Sequence, residues 1–324
     1  MIENKTNEIN IEDYKIDVNL NMKFDSDNKD PDTYSKTLNH YHWLLWNKKL
    51  PNGFEPNMKK IGRKKFLLEL SSGEQKHTLS SDSIIHSYSK WKKMLDIVKQ
   101  INKEDLENFI SIGSTIGGYI IFPSKRIDEL PTINGIRGMN PLISDRFDFT
   151  LECIKRYYEN QNSPLYEHLK RYSDYFNLFT NFKGYIDFFL LNDLVDKEYN
   201  IKFWLPFEDF EITSPLPKSV EEYKVYMDNV LSFVNNRNKR ISRYNELFLI
   251  QQRLHKLIIR RATNFKLDHF LNLEDKELPT IDDILDSETD DMFEAKWFPI
   301  PGMYGGFAYR LMPGKDIITL ETSS

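Results

Sequence analysis

IGGYIIFPSKRIDELPTINGIRGMNPLISDRFDFTLECIKR, residues 116–156, reads as a Gly-Gly strand, a tight polar turn and then a charge-dense amphipathic helix. A strand feeding a helix through a Pro/Gly-punctuated turn sets the expectation of mixed architecture. The same stretch concentrates Arg126, Asn134, Arg137, Asp145, Arg146, Asp148, Glu152 and Arg156. So much charge in one packet requires either an internal salt-bridge network or a polar ligand. In the helix expected over Ser144–Glu159, Phe147, Leu151, Ile154 and Tyr158 form an apolar stripe, and Asp145, Asp148, Glu152 and Arg156 fall opposite it.

Working outward, a disordered arm is expected over residues 1–13, then a short strand around Tyr14–Phe24 and a loop over Asp25–Asp32. Asp32 or Thr33 is placed to cap a helix that LPNG, Leu50–Gly53, ends. Lys65–Leu70 and Lys76–Ser81 flank a turn and read as a hairpin. Ser81 or Asp82 then caps a helix in which Ile85, Tyr88, Trp91, Leu95 and Val98 recur at helical spacing. A helix at Lys103–Ser111 leads to the strand Gly118–Phe122. Beyond the packet come helices over Pro164–Phe179 and Lys183–Leu194, a strand over Ile201–Phe207, and a long helix from about Ser219 to Ile241 or further. The sum is an α+β fold, helix-dominated, with a small antiparallel sheet.

Of 324 residues, 14% are aromatic, including 22 Phe and 17 Tyr, so burial is within reach despite a mean hydropathy of −0.56. The net charge of −5 argues against a nucleic-acid footprint over the whole chain. One cysteine, Cys153, excludes an internal disulfide and thiolate-rich zinc sites. A polar, acidic opening and the lack of a long apolar run predict a cytoplasmic protein with no membrane partner.

The charge is uneven. Residues 236–266 hold nine Lys/Arg against Glu246 alone, whereas Glu274–Glu294 hold ten acids against Lys276. The expected organisation is therefore a main domain over 14–244, a basic helix over 245–273, and an acidic, partly disordered tail over 274–324. That tail ends in a short β motif, KWFPIPGMYGGFAYRL, residues 296–311.

DPDTYSKTLNHYHWLLWNKKLPNG, SSDSIIHSY, IGGYIIFPSKRI, TINGIRG, DRFDFTLECIKRYY and FKGYIDFFLLNDLV resemble a bacterial family known as a domain of unknown function. The resemblance covers residues 24 to about 243 and implies no activity. The tail motif resembles the opening of a second group of small uncharacterised bacterial proteins; with only thirteen residues after Leu311, this copy reads as cut short.

Several chemistries fall away. Gly113, Gly117 and Gly118 precede a strand, whereas phosphate loops follow one and open a helix. Asp25, Asp27, Asp30 and Asp32 lack the Gly and Glu of a calcium loop. His40 and His42 sit two apart on a helix and face different ways. No GxSxG occurs. No metal site is expected, and the sequence names no cofactor.

Two candidates remain. Arg126, Asn134, Arg137 and Arg146 around the TINGIRG turn suit an anionic small molecule such as a nucleotide phosphate, because guanidinium forks and free amides both donate to oxygen. Asp148 and Glu152 would then supply acid–base help. The alternative is a non-catalytic factor that meets nucleic acid or protein through the basic segment, with Arg253, Lys256 and Arg260 on one helix face. Arginines converging on a cleft favour the first, and arginines saturated by internal carboxylates favour the second.

Overall fold

The computed structural model describes residues 15–46, 48–61, 65–70, 75–261, 298–299, 306–311 and 318–322. The expected arm over 1–13 and the acidic stretch over 274–294 lie outside the described residues. Two compact units divide the chain, one of Ile16–Ser242 and one of Met1–Lys15 with Arg243–Ser324.

The first unit is α+β and helix-dominated. Helices α1 (Met22–Asp25), α2 (Pro31–Tyr34) and α3 (Lys36–Trp46) lead into strands β1 (Pro56–Ile61), β2 (Lys65–Leu70) and β3 (Lys76–Ser83). Helices α4 (Leu95–Val98) and α5 (Lys103–Gly113) precede β4 (Tyr119–Pro123). Then come α6 (Ile133–Met139), α7 (Phe147–Tyr158), α8 (Tyr166–Lys170), α9 (Ser173–Phe176), α10 (Phe182–Phe188) and the long α11 (Val220–Arg261), of which the residues up to Ser242 belong to this unit. The four strands form one antiparallel sheet in sequence order, with Phe66 opposite Leu79, and Ser83 opposite Tyr119.

Strand β4 is buried along its whole length, which explains its unbroken apolar run. One cover is α11, whose Tyr223, Tyr226, Val230, Phe233, Val234, Arg237 and Ile241 are all buried at i, i+3, i+4, i+7 spacing. Its approach to the chain just before β4 is close. A Cβ on Gly117 would lie 2.6 Å from both the Val234 carbonyl and Asn238 Oδ1. Gly117 donates its N–H to Asn238 Oδ1 at 2.7 Å, and Arg237 donates to the Gly117 and Tyr119 carbonyls at 2.8 and 2.6 Å. The Gly-Gly pair therefore serves packing, since only a residue without a side chain permits this contact. Trp46, Phe179, Tyr185, Phe188 and Phe189 pack as an aromatic cluster with centroids about 5–6 Å apart.

Several expected elements take other forms. The strand expected at Tyr14–Phe24 is replaced by the turn of α1, capped by the Asn21 side chain. The helix expected after Asp82 forms only at α4. Before it the chain is irregular, with Tyr88 in the left-handed region at φ 54°, and its phenol donates to the Ser144 carbonyl. Strand β1 has no signal in its polar sequence PNMKKI. Segment 164–179 breaks into short helices, and the hydroxyls of Tyr172 and Tyr175 anchor it to the Lys125 and Ile121 carbonyls. The strand expected at Ile201–Phe207 is reduced to one bridge between Val195 and Ile201.

In the second unit, Phe298–Pro299, Gly306–Leu311 and Ile318–Thr322 form a separate three-stranded antiparallel sheet (β5, β6 and β7). A strand thus follows Leu311, with Leu311 opposite Ile318. No described helix is long and apolar enough to cross a membrane.

Candidate functional site

The arginine packet folds largely onto itself. Arg146, the residue before α7, is fully buried and grips Asp148 with two donors, Nε to Oδ1 at 2.7 Å and Nη2 to Oδ2. Its Nη1 donates to the Pro215 carbonyl at 3.0 Å, and its guanidinium lies against Phe149. Asp148 Oδ2 also accepts the Trp204 N–H at 2.9 Å. Asp148 is therefore not on a solvated face, because the pair it makes is buried with it. Glu152 accepts from Arg156 at 2.8 Å, and Arg156 also holds Asp209 at 3.0 Å. Carboxylates so engaged are poor acid–base groups.

The other packet residues scatter. Arg126 is exposed in the turn after β4. TINGIRG is helical: Thr132 caps α6 by accepting the Gly135 N–H, and Asn134 and Arg137 ride on that helix. Asn134 is half-buried, its Oδ1 without a hydrogen-bond partner. Cys153 is buried, and burial pushes its thiol up to about 12, so it is unreactive. Arg253, Lys256 and Arg260 lie on α11, which runs unbroken past Tyr244 to Arg261; the described side chains stop short of them.

Arg137 behaves differently, and it points to a site that the sequence reading passed over. Fully buried, it donates to Asp145 at 2.7 Å and reaches Asp82 at 3.4 Å. Asp145 sits in a turn where both Ser144 (φ 46°) and Asp145 (φ 62°) are left-handed. Asp82 lies on β3, and beyond it opens a cleft of about 390 Å³, a volume typical of small-molecule sites. The walls include Lys23, Asn28, Lys29, Asp30, Asp32, Ser81, Asp82, Ser83 and Tyr119.

Local folding explains the wall. The β2–β3 ladder last pairs Phe66 with Leu79, and β3 continues to Ser83. Asp32 takes over the open edge, accepting the Ser81 N–H with both oxygens at 3.1 and 2.9 Å. Asp30 in turn caps α2 by accepting the Asp32 N–H at 3.1 Å, with Pro31 at the first helical position. His42 Nε2 is 2.7 Å from Ser81 Oγ and 3.5 Å from Asp32 Oδ1, while its Nδ1 is buried without a partner. Burial holds this imidazole below the usual histidine range, against the pull of Asp32. Serine and carboxylate meet the same ring nitrogen, so this is not the relay of a hydrolase triad, in which they meet opposite nitrogens.

Two groups face the cleft with unusual properties. Burial raises Asp82 to about 6; Arg137 opposes the rise, and Asp145 and Asp32 add to it. Tyr119 is only 5% exposed, and its hydroxyl has no hydrogen-bond partner among the described residues. Burial, with Asp82 and Asp32, pushes that phenol up to about 12, so it stays protonated as a donor. Sequence reading found Asp32 and Asp82 as helix caps, and Asp32 also as part of a rejected calcium loop; their partners lie 49 and 55 residues away.

Comparison with known proteins gives one result. The chain belongs to a family of unknown function, DUF6994, whose profile matches residues 16–241. The matched span contains every wall of the cleft. No curated protein and no solved structure matches the chain.

Proposed function

We propose that this domain binds a small polar molecule in the Asp32–Asp82–Tyr119 cleft, with the ligand's hydroxyl or ammonium groups turned toward the carboxylates. The observation that carries the reading is the Tyr119 hydroxyl, without a hydrogen-bond partner among the described residues and on the cleft wall beside Asp82. A ligand that bonds to it gains a hydrogen bond worth roughly 0.5–1.5 kcal/mol net. Asp82, titrating near 6, can take or release a proton close to neutrality, which equips the cleft for acid–base work on what it holds. The anion site foreseen at Arg137 and Arg146 is not carried forward, because internal carboxylates engage both guanidiniums.

A thermal-shift screen over polyols, amines, nucleosides and sugar phosphates tests the proposal. A ligand at a hundred times its Kd adds about 2.7 kcal/mol of stability. The expected result is a shift that is lost in Asp82→Asn and reduced in Tyr119→Phe. A shift undiminished in both variants would place the ligand elsewhere.

A second reading is supported by the unbroken helical course of α11 to Arg261, which sets Arg253, Lys256 and Arg260 at i, i+3 and i+7. A basic face of this kind suits nucleic acid, with affinity that falls steeply with salt. Charge reversal at Arg253 and Lys256 is expected to abolish low-salt oligonucleotide binding. A bacterial, cytoplasmic setting belongs to the same proposal; the single buried thiol, with no second cysteine to pair, is in keeping with a reducing compartment.

A further inference from the structure

The cleft wall mixes charges of both signs, and the protein already shares most of them out. Among the described residues two cations line it, Lys23 and Lys29, with three carboxylates, Asp30, Asp32 and Asp82. Lys29 Nζ lies 3.6 Å from Asp27 and over the Tyr34 ring at 5.1 Å. Asp30 accepts the Asp32 N–H, and Arg137 reaches Asp82 at 3.4 Å. An ionic ligand of either sign would meet like charges as well as opposite ones. What the wall offers instead is hydrogen-bonding capacity. The Asp82 side chain is 41% exposed, and an ionised carboxylate has about four acceptor positions. The Tyr119 hydroxyl, without a partner among the described residues, can donate and accept. Ser83 Oγ donates to the Ile85 carbonyl at 3.2 Å and keeps its lone pairs. Pro31 and Leu38 bring carbon surface to the same wall.

We infer that the cleft takes a neutral polyhydroxylated ring, a monosaccharide or a cyclitol, and holds two of its adjacent hydroxyls on Asp82. The inference rests on the cleft being the binding site proposed above, and it adds the ligand's class. Adjacent ring hydroxyls are spaced to donate together to the two oxygens of one carboxylate. A sugar hydroxyl both donates and accepts, so it can also take the proton of the Tyr119 phenol. The ring's C–H groups find Pro31 and Leu38. A charged substituent would have to shed its water against a wall that already pairs its own charges, and burial of a charge costs more than burial of a hydroxyl.

The test uses isothermal titration of the full-length chain with neutral and charged probes. The neutral ones are the methyl glycosides of glucose, galactose and mannose, and myo-inositol; the charged ones are glucosamine and glucose 6-phosphate. At least one neutral probe is expected to bind, and neither charged sugar to bind more tightly than it. Asp82→Asn should weaken that binding at least about tenfold, and Tyr119→Phe by less. Melting curves of both variants establish that they are folded. A charged sugar that binds more tightly than every neutral probe, and loses that binding in Asp82→Asn, would overturn the class and leave the cleft standing. No Asp82-dependent binding by any of the probes would overturn both.

Discussion

The Arg146–Asp148 pair is sealed from water, the Asp82–Tyr119 corner lines a cleft, and they differ in whether the protein completes them. Around Arg146 each donor nitrogen has an acceptor, and Asp148 takes a backbone N–H as well. At the cleft a phenol lacks a partner, and a carboxylate is shared at 3.4 Å with an arginine already held by Asp145. A saturated network has nothing left to offer a ligand, so its value is to fix α7 against the Trp204 segment. An unsaturated one keeps its capacity for what enters. Density of charge in the sequence pointed to the first region; function, we argue, lies in the second.

The largest break should come at the saturated pair. Removing one partner of a buried ion pair typically costs about 3–5 kcal/mol, because the other charge is stranded. Asp148→Asn and Arg146→Ala are therefore expected to lower the urea midpoint severely or prevent folding. A near-native midpoint would show the pair to be dispensable.

Lys48 supplies the next test, as a buried cation that donates to the Phe188 carbonyl at 2.6 Å. Burial lowers it to about 7, against Asp187, while Arg237 adds to the lowering. Between about pH 7 and 10.5 the unfolded chain holds a proton that the folded chain has lost. Stability is therefore expected to rise with pH across that window, each tenfold difference in proton affinity contributing about 1.4 kcal/mol. Lys48→Met should flatten the slope, measured by denaturation at pH 7, 8 and 9.

At the cleft the sign is reversed. Asp82 binds its proton more tightly when folded, near 6 against an ordinary 3.8, so its contribution weakens stability as pH rises from about 4 through 6. Its side chain is 41% exposed, which screens the effect to a small one. Asp82→Asn should remove this slope and leave the protein folded, since Arg137 keeps Asp145. A collapse of stability in this variant would mean that Asp82 belongs to the structural network after all.

The smallest effect is expected at Tyr119→Phe. Deleting a hydroxyl that makes no bond within the protein should leave the stability within about 0.5 kcal/mol of the parent's. The same change should weaken ligand binding. A marked loss of stability would reveal a partner for that hydroxyl and remove the main support for the cleft.

Much of the scaffold was legible because its signals are local. The β2–β3 hairpin, β4, α5, α7 and α11 each carry periodicity, caps or turn residues within a few positions of one another. The misread elements were those in which a local pattern met a stronger distant contact. Ile85, Tyr88, Trp91 and Leu95 keep helical spacing, yet Tyr88 turns left-handed with its phenol on the Ser144 carbonyl. TINGIRG looks like a turn by its glycines, yet the Thr132 cap makes it helical and aims Arg137 at Asp82.

Composition and periodicity alone thus settled the class of fold, the long amphipathic helix and the presence of a charged packet, since each depends on neighbours within a turn or a strand. Which charges would be neutralised and which left facing a cleft was decided only when β3 outran β2. That placed Asp32 from α2 on the open edge, set Asp82 between Arg137 and the cleft, and brought Tyr119 alongside from β4. Those residues are far apart in the chain, and no local pattern records how a tertiary contact will share out hydrogen bonds among them.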